Sequence, residues 1–165
     1  MSLEMAPSTN LRVLIVDDEQ LLREGVRCIL ESKDDIEVVG ESGDGKTAID
    51  MSRLLLPDVV VMDVSMPGMS GLEATRQLKE ISPAVKVVGL SVYSNNLYVV
   101  AMLEAGASGY VLKSSLYDEL YGALKVVGRG ETYLSPGISG AVIDAYHRDP
   151  SAIETGPRAG GTRGG

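Results

Sequence analysis

The sequence predicts an α/β protein built on a doubly wound parallel sheet of five strands. Short apolar runs alternate with helical patterns five times along the chain. The runs over residues 11–16 and 59–62 are continuous and rich in Val and Ile, which is typical of strands that are buried on both faces. Alternation of this kind indicates βαβ units, in which helices cover both sides of a parallel sheet.

The predicted elements follow one another in a regular order. We expect strands over residues 11–16, 36–40, 58–62, 86–91 and 109–112. We expect helices over about residues 19–32, 45–55, 71–80, 95–105 and 115–128. Gly71 after Ser70 and Gly106 after Ala105 mark a helix boundary each.

The first and fifth helices carry apolar stripes at the 3.6-residue period of a helix that packs on a sheet. In the first helix the stripe is formed by Leu22, Val26, Ile29 and Leu30. In the fifth helix it is formed by Leu116, Leu120, Ala123, Leu124 and Val127. Both helices should therefore cover the sheet.

The chain of 165 residues fits one domain with a tail at each end. We expect residues 1–10 to be a disordered lead-in or tag and residues 11–130 to form the domain. Residues 131–148 form a C-terminal extension, with a helix predicted from Pro136 through Tyr146. Residues 149–165 are rich in Gly and Pro, which predicts a flexible linker. Because a linker normally leads to a further domain, we expect the chain to be a piece of a longer protein.

Composition narrows the function classes. A formal charge of −8, from 23 acidic and 15 basic side chains, argues against binding of nucleic acid or an anionic membrane by this segment alone. No apolar stretch reaches the roughly 18 residues that span a bilayer, and the N-terminus lacks a secretion signal. The single cysteine, Cys28, is expected to be a small buried side chain, and it favours a reducing, cytoplasmic location.

Three acidic side chains directly follow two of the predicted buried strands. Asp17 and Asp18 follow the first strand, and Asp63 follows the third. The carboxyl ends of the strands in a doubly wound sheet form its ligand-binding edge. Clustered carboxylates there are costly unless a charged group meets them, and their oxygens suit Mg²⁺. The alternative is that each aspartate only caps the helix that follows it.

Two further polar residues close predicted strands: Ser91 closes the fourth and Lys113 the fifth. Together with the acidic residues they suggest phosphoryl transfer to a carboxylate, which depends mainly on alignment and charge neutralisation. Asp63 would be the nucleophile that forms an acyl phosphate. Lys113 would neutralise the transferred group, and the Ser91 hydroxyl would donate to one of its oxygens.

The stretches that carry these residues resemble the receiver domain of bacterial two-component response regulators. They are Leu14–Glu19, Met62–Glu73 and Ala105–Lys113, and the resemblance covers about residues 11–130. It implies a flavodoxin-like (βα)5 fold with strand order 2-1-3-4-5. Further stretches resemble LuxR/NarL-type regulators, which carry a helix-turn-helix after the receiver; these are Arg23–Gly25, Val38–Glu41, Gly71–Thr75 and Gly130–Pro136.

The resemblance implies a role for each site residue. Asp63 matches the phosphoacceptor, Asp17 and Asp18 match the acidic pair that binds Mg²⁺, and the backbone carbonyl of Ser65 matches a further metal ligand. Ser91 and Lys113 match the residues that contact the phosphoryl group.

Tyr110 matches the aromatic residue whose ring moves inward when the hydroxyl of Ser91 moves. The alternative is a half-buried tyrosine on an edge strand. Ser114 departs from the family pattern, because many relatives have proline after the lysine. A cis peptide at that point would be a costly non-proline bond.

The implied function is a signalling switch rather than a conventional enzyme. It would accept a phosphoryl group from a sensor histidine kinase, form a homodimer when phosphorylated, and control a DNA-binding domain absent from this chain. One alternative is a stand-alone receiver that signals by protein contact. An aspartyl-phosphate hydrolase would need an aspartate as general acid two residues after the nucleophile, where this chain has Ser65. A flavin or nucleotide binder would hold phosphate after the first strand, where Asp17, Asp18 and Glu19 would repel a phosphate that lacks a metal.

Overall fold

The computed structural model describes residues 10–138, in which strands and helices alternate as predicted. The strands are β1 (Leu11–Val16), β2 (Ile36–Ser42), β3 (Val59–Asp63), β4 (Lys86–Ser91), β5 (Gly109–Leu112) and β6 (Tyr133–Leu134). The helices are α1 (Gln20–Glu31), α2 (Gly45–Leu55), α3 (Gly71–Ile81), α4 (Asn96–Glu104) and α5 (Leu116–Gly128). A 3₁₀ turn over Lys113–Ser115 joins β5 to α5.

The sheet is parallel throughout and has the order β2-β1-β3-β4-β5-β6. The predicted fold class and the order of the first five strands are confirmed. The sixth strand was not predicted; its Tyr133 and Leu134 pair with Gly109 and Tyr110. Because β6 covers the outer side of β5, Tyr110 does not lie on an edge strand.

Side chains alternate between the two faces of the sheet and build two core layers. In β1, Leu14 and Val16 face the layer that contains α2, α3 and α4. Val13 and Ile15 face the layer that contains α1 and α5. Burial on both faces explains why the runs over residues 13–16 and 59–62 are continuously apolar.

The predicted stripe of α5 is fully confirmed, since all five of its residues are buried. In α1, Val26 and Leu30 are buried, whereas Leu22 and Ile29 are partly buried. The prediction for Cys28 was wrong, because its side chain is exposed. At about 100° per residue, Cys28 points roughly 200° away from Val26, on the solvent side of the helix.

Part of the predicted C-terminal helix lies outside the described residues. Residues 136–138 form a turn and a bend, and the remainder of the segment from Pro136 through Tyr146 is not described. Within residues 10–138, none of the helices is long and apolar enough to cross a membrane.

Candidate functional site

The carboxyl ends of β1 and β3 bring the three predicted acidic residues together. Asp17 and Asp63 are 1% and 3% exposed, whereas Asp18 is exposed. Each residue offers a carboxylate oxygen that lies within 4.8 Å of the others. The three side chains therefore form the compact acidic group that the positions of the strand ends predicted.

Lys113 meets this acidic group from the end of β5. Its Nζ lies 3.2 Å from Asp17 Oδ2, 3.3 Å from Asp63 Oδ1 and 3.7 Å from Glu19 Oε1. Burial alone would lower the pKa of Lys113, but the negative charges of Asp63 and Asp17 outweigh it and raise the pKa. The lysine thus provides the positive charge that buried carboxylates require.

One lysine does not balance all of the negative charge. Burial raises the pKa of Asp63 to about 7, with a further contribution from the charge of Asp17, while Lys113 opposes the shift. The backbone N–H of Ser65 donates to Asp63 Oδ1 across 3.2 Å and also favours the charged form. A divalent cation among these oxygens would favour ionised Asp63, because an opposite charge stabilises a carboxylate.

The alternative that the aspartates only cap helices does not fit the contacts. The N-cap of α1 is Glu19, and no side chain caps that helix end. Asp17 Oδ1 instead accepts from the backbone N–H of Glu19 across 2.8 Å, within the loop. At α3 the N-cap is Ser70, whose side chain accepts from the N–H of Glu73.

The acidic group opens into a cleft of about 220 Å³. The residues that line it are Asp18, Glu19, Asp63, Ser65, Ser91, Val92, Tyr93 and Lys113. Sites for drug-sized ligands occupy about 300–1,000 Å³. The cleft therefore suits an ion and a group as small as a phosphoryl, and it does not suit a flavin.

Ser91 and Tyr110 lie on neighbouring strands and are joined through one backbone segment. Ser91 Oγ accepts from the backbone N–H of Tyr93 across 2.9 Å, and the Tyr110 hydroxyl donates to the Tyr93 carbonyl across 2.7 Å. Tyr110 is completely buried, so the alternative of a half-buried side chain is wrong. Burial raises the pKa of its phenol, and the nearby Ser91 hydroxyl opposes this rise.

Arg23 supports the site in a way that the sequence analysis did not identify. Its Nη1 donates to the backbone carbonyl of Asp17 across 2.6 Å, and its Nε lies 3.2 Å from Glu41 Oε1. Arg27 Nη1 contacts the other oxygen of Glu41 at 2.6 Å. Arg23 therefore ties the loop after β1 to Glu41 of β2, and Arg27 adds a second contact from α1 to the same carboxylate. Arg23 and Glu41 belong to the stretches quoted above, but spacing alone did not pair them.

The turn after Lys113 is regular. Every peptide bond within residues 10–138 is trans, including the bond between Lys113 and Ser114. Residues Lys113–Ser115 form the 3₁₀ turn, so serine in place of proline is accommodated there without a cis bond.

Comparison with known proteins gives a consistent family assignment. Residues 13–125 match the response regulator receiver domain family. The transcriptional regulatory protein DegU of Brevibacillus brevis is 41% identical over 145 residues, which are 88% of this chain and 61% of that protein. The response regulator GacA of Pseudomonas viridiflava is 42% identical over 129 residues, which are 78% of this chain and 60% of that protein.

A solved structure agrees with this assignment. The LuxR-family two-component response regulator from Aurantimonas sp. SI85-9A1 superimposes with a TM-score of 0.78 at 34% identity, covering 84% of this chain and 99% of that one. The chain spans about three-fifths of the length of the curated relatives it matches. The chain belongs to the response regulator receiver domain family, and its relatives are regulators of the LuxR/NarL type.

Proposed function

We propose that this receiver domain accepts a phosphoryl group on Asp63 from a sensor histidine kinase. The observation that carries the proposal is the contact of Lys113 with a buried carboxylate at the end of β3. In the reaction the bond between phosphorus and the kinase histidine breaks, a bond to an Asp63 oxygen forms, and the imidazole leaves. Alignment and charge neutralisation are the main requirements of such a transfer.

We propose that Mg²⁺ is the cofactor. Asp17, Asp18 and Asp63 would hold it together with the backbone carbonyl of Ser65, and this all-oxygen donor set matches the preference of a hard cation. When bound, Mg²⁺ supplies positive charge against the phosphoryl oxygens. Lys113 adds a second positive charge from the end of β5, and the Ser91 hydroxyl donates to a phosphoryl oxygen.

The phosphoryl group would then act as a switch on the neighbouring face. A new dianionic group attracts the Ser91 hydroxyl and Lys113. A change at Ser91 reaches the buried Tyr110 through the backbone of Tyr93, which contacts both side chains. The surfaces of α4 and α5, which lie on either face of β5, would respond and form a homodimer contact.

We further propose that the domain controls a DNA-binding domain in the full protein and works in the cytoplasm. DegU of Brevibacillus brevis is a transcriptional regulatory protein, and this chain covers 61% of it. A stand-alone receiver remains the second candidate, since it would use the same site. Ser65 stands where an aspartyl-phosphate hydrolase would place its acid, which argues against the hydrolase.

The direct test is phosphorylation by a small donor. Incubation with acetyl phosphate and Mg²⁺ should add one phosphoryl group, detected by mass spectrometry, and omission of Mg²⁺ should prevent it. Asp63→Asn should abolish the modification. Asp50→Asn, which makes the same change at an exposed position in α2, should leave it intact. Full modification of Asp63→Asn would contradict the assignment of the acceptor.

A further inference from the structure

The chain after α5 returns to the sheet beside the strand that leads to Lys113. The backbone N–H of Tyr133 donates to the carbonyl of Ser108, and the N–H of Ser135 donates to the carbonyl of Tyr110, each across 3.0 Å. These bonds attach β6 and the residue after it to the first half of β5. Residues 133–135 are thereby fixed beside β5, the strand that ends at the residue before Lys113.

The side chain of Ser135 continues this pairing beyond the end of β6. Its hydroxyl is buried, accepts from the backbone N–H of Leu112 across 3.0 Å, and donates to Glu119 Oε1 across 2.5 Å. A serine hydroxyl has one hydrogen to donate, and here Glu119 takes it. The hydroxyl oxygen therefore has a lone pair free to accept from the Leu112 N–H. It takes the place of the backbone carbonyl that a longer β6 would offer to that N–H.

Leu112 is the residue directly before Lys113, and both of its sides are occupied. On one side it pairs with Ser91 of β4, and on the other it donates to Ser135. The next residue extends its side chain to Asp17 and Asp63. The position of the Leu112 backbone therefore determines where the Lys113 side chain begins.

We propose that Ser135, oriented by Glu119, is a positioning residue for Lys113. Ser135 does not touch the reacting atoms; it fixes the last peptide of β5 so that Lys113 Nζ meets the carboxylate that accepts the phosphoryl group. This inference rests on the proposed phosphoryl transfer to Asp63. Ser135 belongs to the Gly130–Pro136 stretch, so this stretch would help to position the lysine of the site.

Glu119 is suited to this task by its place in α5. It lies in the first turn of the helix, where a carboxylate is stabilised by the helix dipole. The same oxygen also accepts from the Tyr133 hydroxyl across 3.0 Å. Tyr133 therefore shares Glu119 with Ser135, but it makes no side-chain hydrogen bond to Leu112 and provides a matched control.

The first experiment compares Ser135→Ala with Tyr133→Phe. Each variant removes one hydroxyl that donates to Glu119, but only Ser135→Ala removes the acceptor for Leu112 N–H. We expect Ser135→Ala to slow phosphorylation by acetyl phosphate roughly tenfold, because small misplacements of a catalytic group reduce rates strongly. We expect Tyr133→Phe to react at the parent rate.

The Mg²⁺ affinity of Ser135→Ala distinguishes a misplaced Lys113 from a general loss of folded structure. Lys113 is not a proposed metal ligand, and its displacement removes a positive charge that competes with the cation for Asp17 and Asp63. Ser135→Ala should therefore bind Mg²⁺ at least as tightly as the parent does, in a titration followed by NMR. A general loss of structure would weaken metal binding and phosphorylation together. A parental phosphorylation rate in Ser135→Ala, or equal loss of both properties, would overturn the inference.

A second pair of variants covers the case in which Ser135→Ala does not fold. Glu119→Ala removes the group that orients the Ser135 hydroxyl, whereas Glu119→Gln keeps an acceptor oxygen. The alanine variant should be slowed severalfold and the glutamine variant should recover most of the rate. Equal rates in the two variants would overturn the proposal. Failure of the parent to react at all would instead overturn the proposed function, and this inference with it.

Discussion

Gly71 lies so close to Asp63 that a Cβ atom placed on it would sit 1.9 Å from the Asp63 backbone oxygen. The Gly71 N–H also donates to the Val64 carbonyl across 2.9 Å. The first turn of α3 is therefore packed directly on the backbone of the proposed acceptor. In the sequence this glycine marks a helix boundary and opens the stretch Gly71–Thr75, and nothing local signals its contact with Asp63.

We expect Gly71→Ala to lower the free energy of unfolding by about 3 kcal/mol, since neither backbone can give way without displacing the other. Urea unfolding provides the measurement, and acetyl phosphate labelling should slow as Asp63 is displaced. Gly122→Ala in α5 is the matched control, because a Cβ there meets nothing within 4 Å. It should be neutral or stabilising by up to about 1 kcal/mol. Similar stabilities of the two variants would contradict the packing argument.

Mg²⁺ binding should depend on both Asp17 and Asp18. Removal of either carboxylate weakens a site that offers few protein ligands, so Asp17→Asn and Asp18→Asn should each reduce affinity at least about tenfold. Titration followed by NMR or calorimetry tests this. Asp50→Asn controls for the loss of one negative charge and should bind as the parent does. Unchanged affinity in Asp18→Asn would place the metal elsewhere.

The response to phosphorylation should pass through Ser91. Beryllofluoride with Mg²⁺ imitates the phosphorylated state and should shift amide resonances across α4, β5 and α5 in the parent. In Ser91→Ala the shifts should be much smaller, because the hydroxyl that contacts Tyr93 is missing. Ser114→Ala changes an exposed serine and should respond as the parent does. Shifts confined to the loops around Asp63 in the parent would contradict the coupling.

Stability at high pH should depend on Tyr133. Burial raises the pKa of Tyr133 to about 12, and its hydrogen bond to Glu119 adds to the rise. An unfolded tyrosine titrates at about 10. The neutral phenol therefore favours the folded state fully below about pH 10, and this contribution is lost as the pH rises to about 12.

Tyr133→Phe should make the free energy of unfolding less dependent on pH between about 10 and 12. Denaturant unfolding at a series of pH values measures this. Tyr117→Phe, at a residue 70% exposed, should retain the parental dependence. Identical profiles for the two variants would contradict the proposed environment of Tyr133.

This chain by itself should not bind DNA. Its formal charge is −8, and affinity for DNA depends largely on basic contacts with phosphate. Fluorescence anisotropy with a duplex should stay constant at moderate salt. Tight binding that weakens with salt would contradict the proposal that DNA binding belongs to a further domain.

The sequence by itself determined five strands of the sheet, the five helices and the group of acidic residues with Lys113. Each strand that was predicted is a short segment dominated by apolar residues, and local composition alone is enough to recognise it. A parallel sheet then places all strand ends at one edge, so Asp17, Asp63 and Lys113 had to meet. The helical period of α1 also indicates that the Cys28 side chain is exposed.

The tertiary structure alone decided the contacts that hold this group in place. β6 has two residues, too few to show a period, and it forms because β5 offers an open edge. The contacts of Gly71 with Asp63, of Arg23 with Glu41 and of Ser135 with Leu112 join residues from different elements. Such contacts depend on the distance between packed elements. A change in that distance smaller than the width of one atom turns a hydrogen bond into a clash. Local sequence patterns do not encode that distance, because it is set by how all of the core side chains pack together.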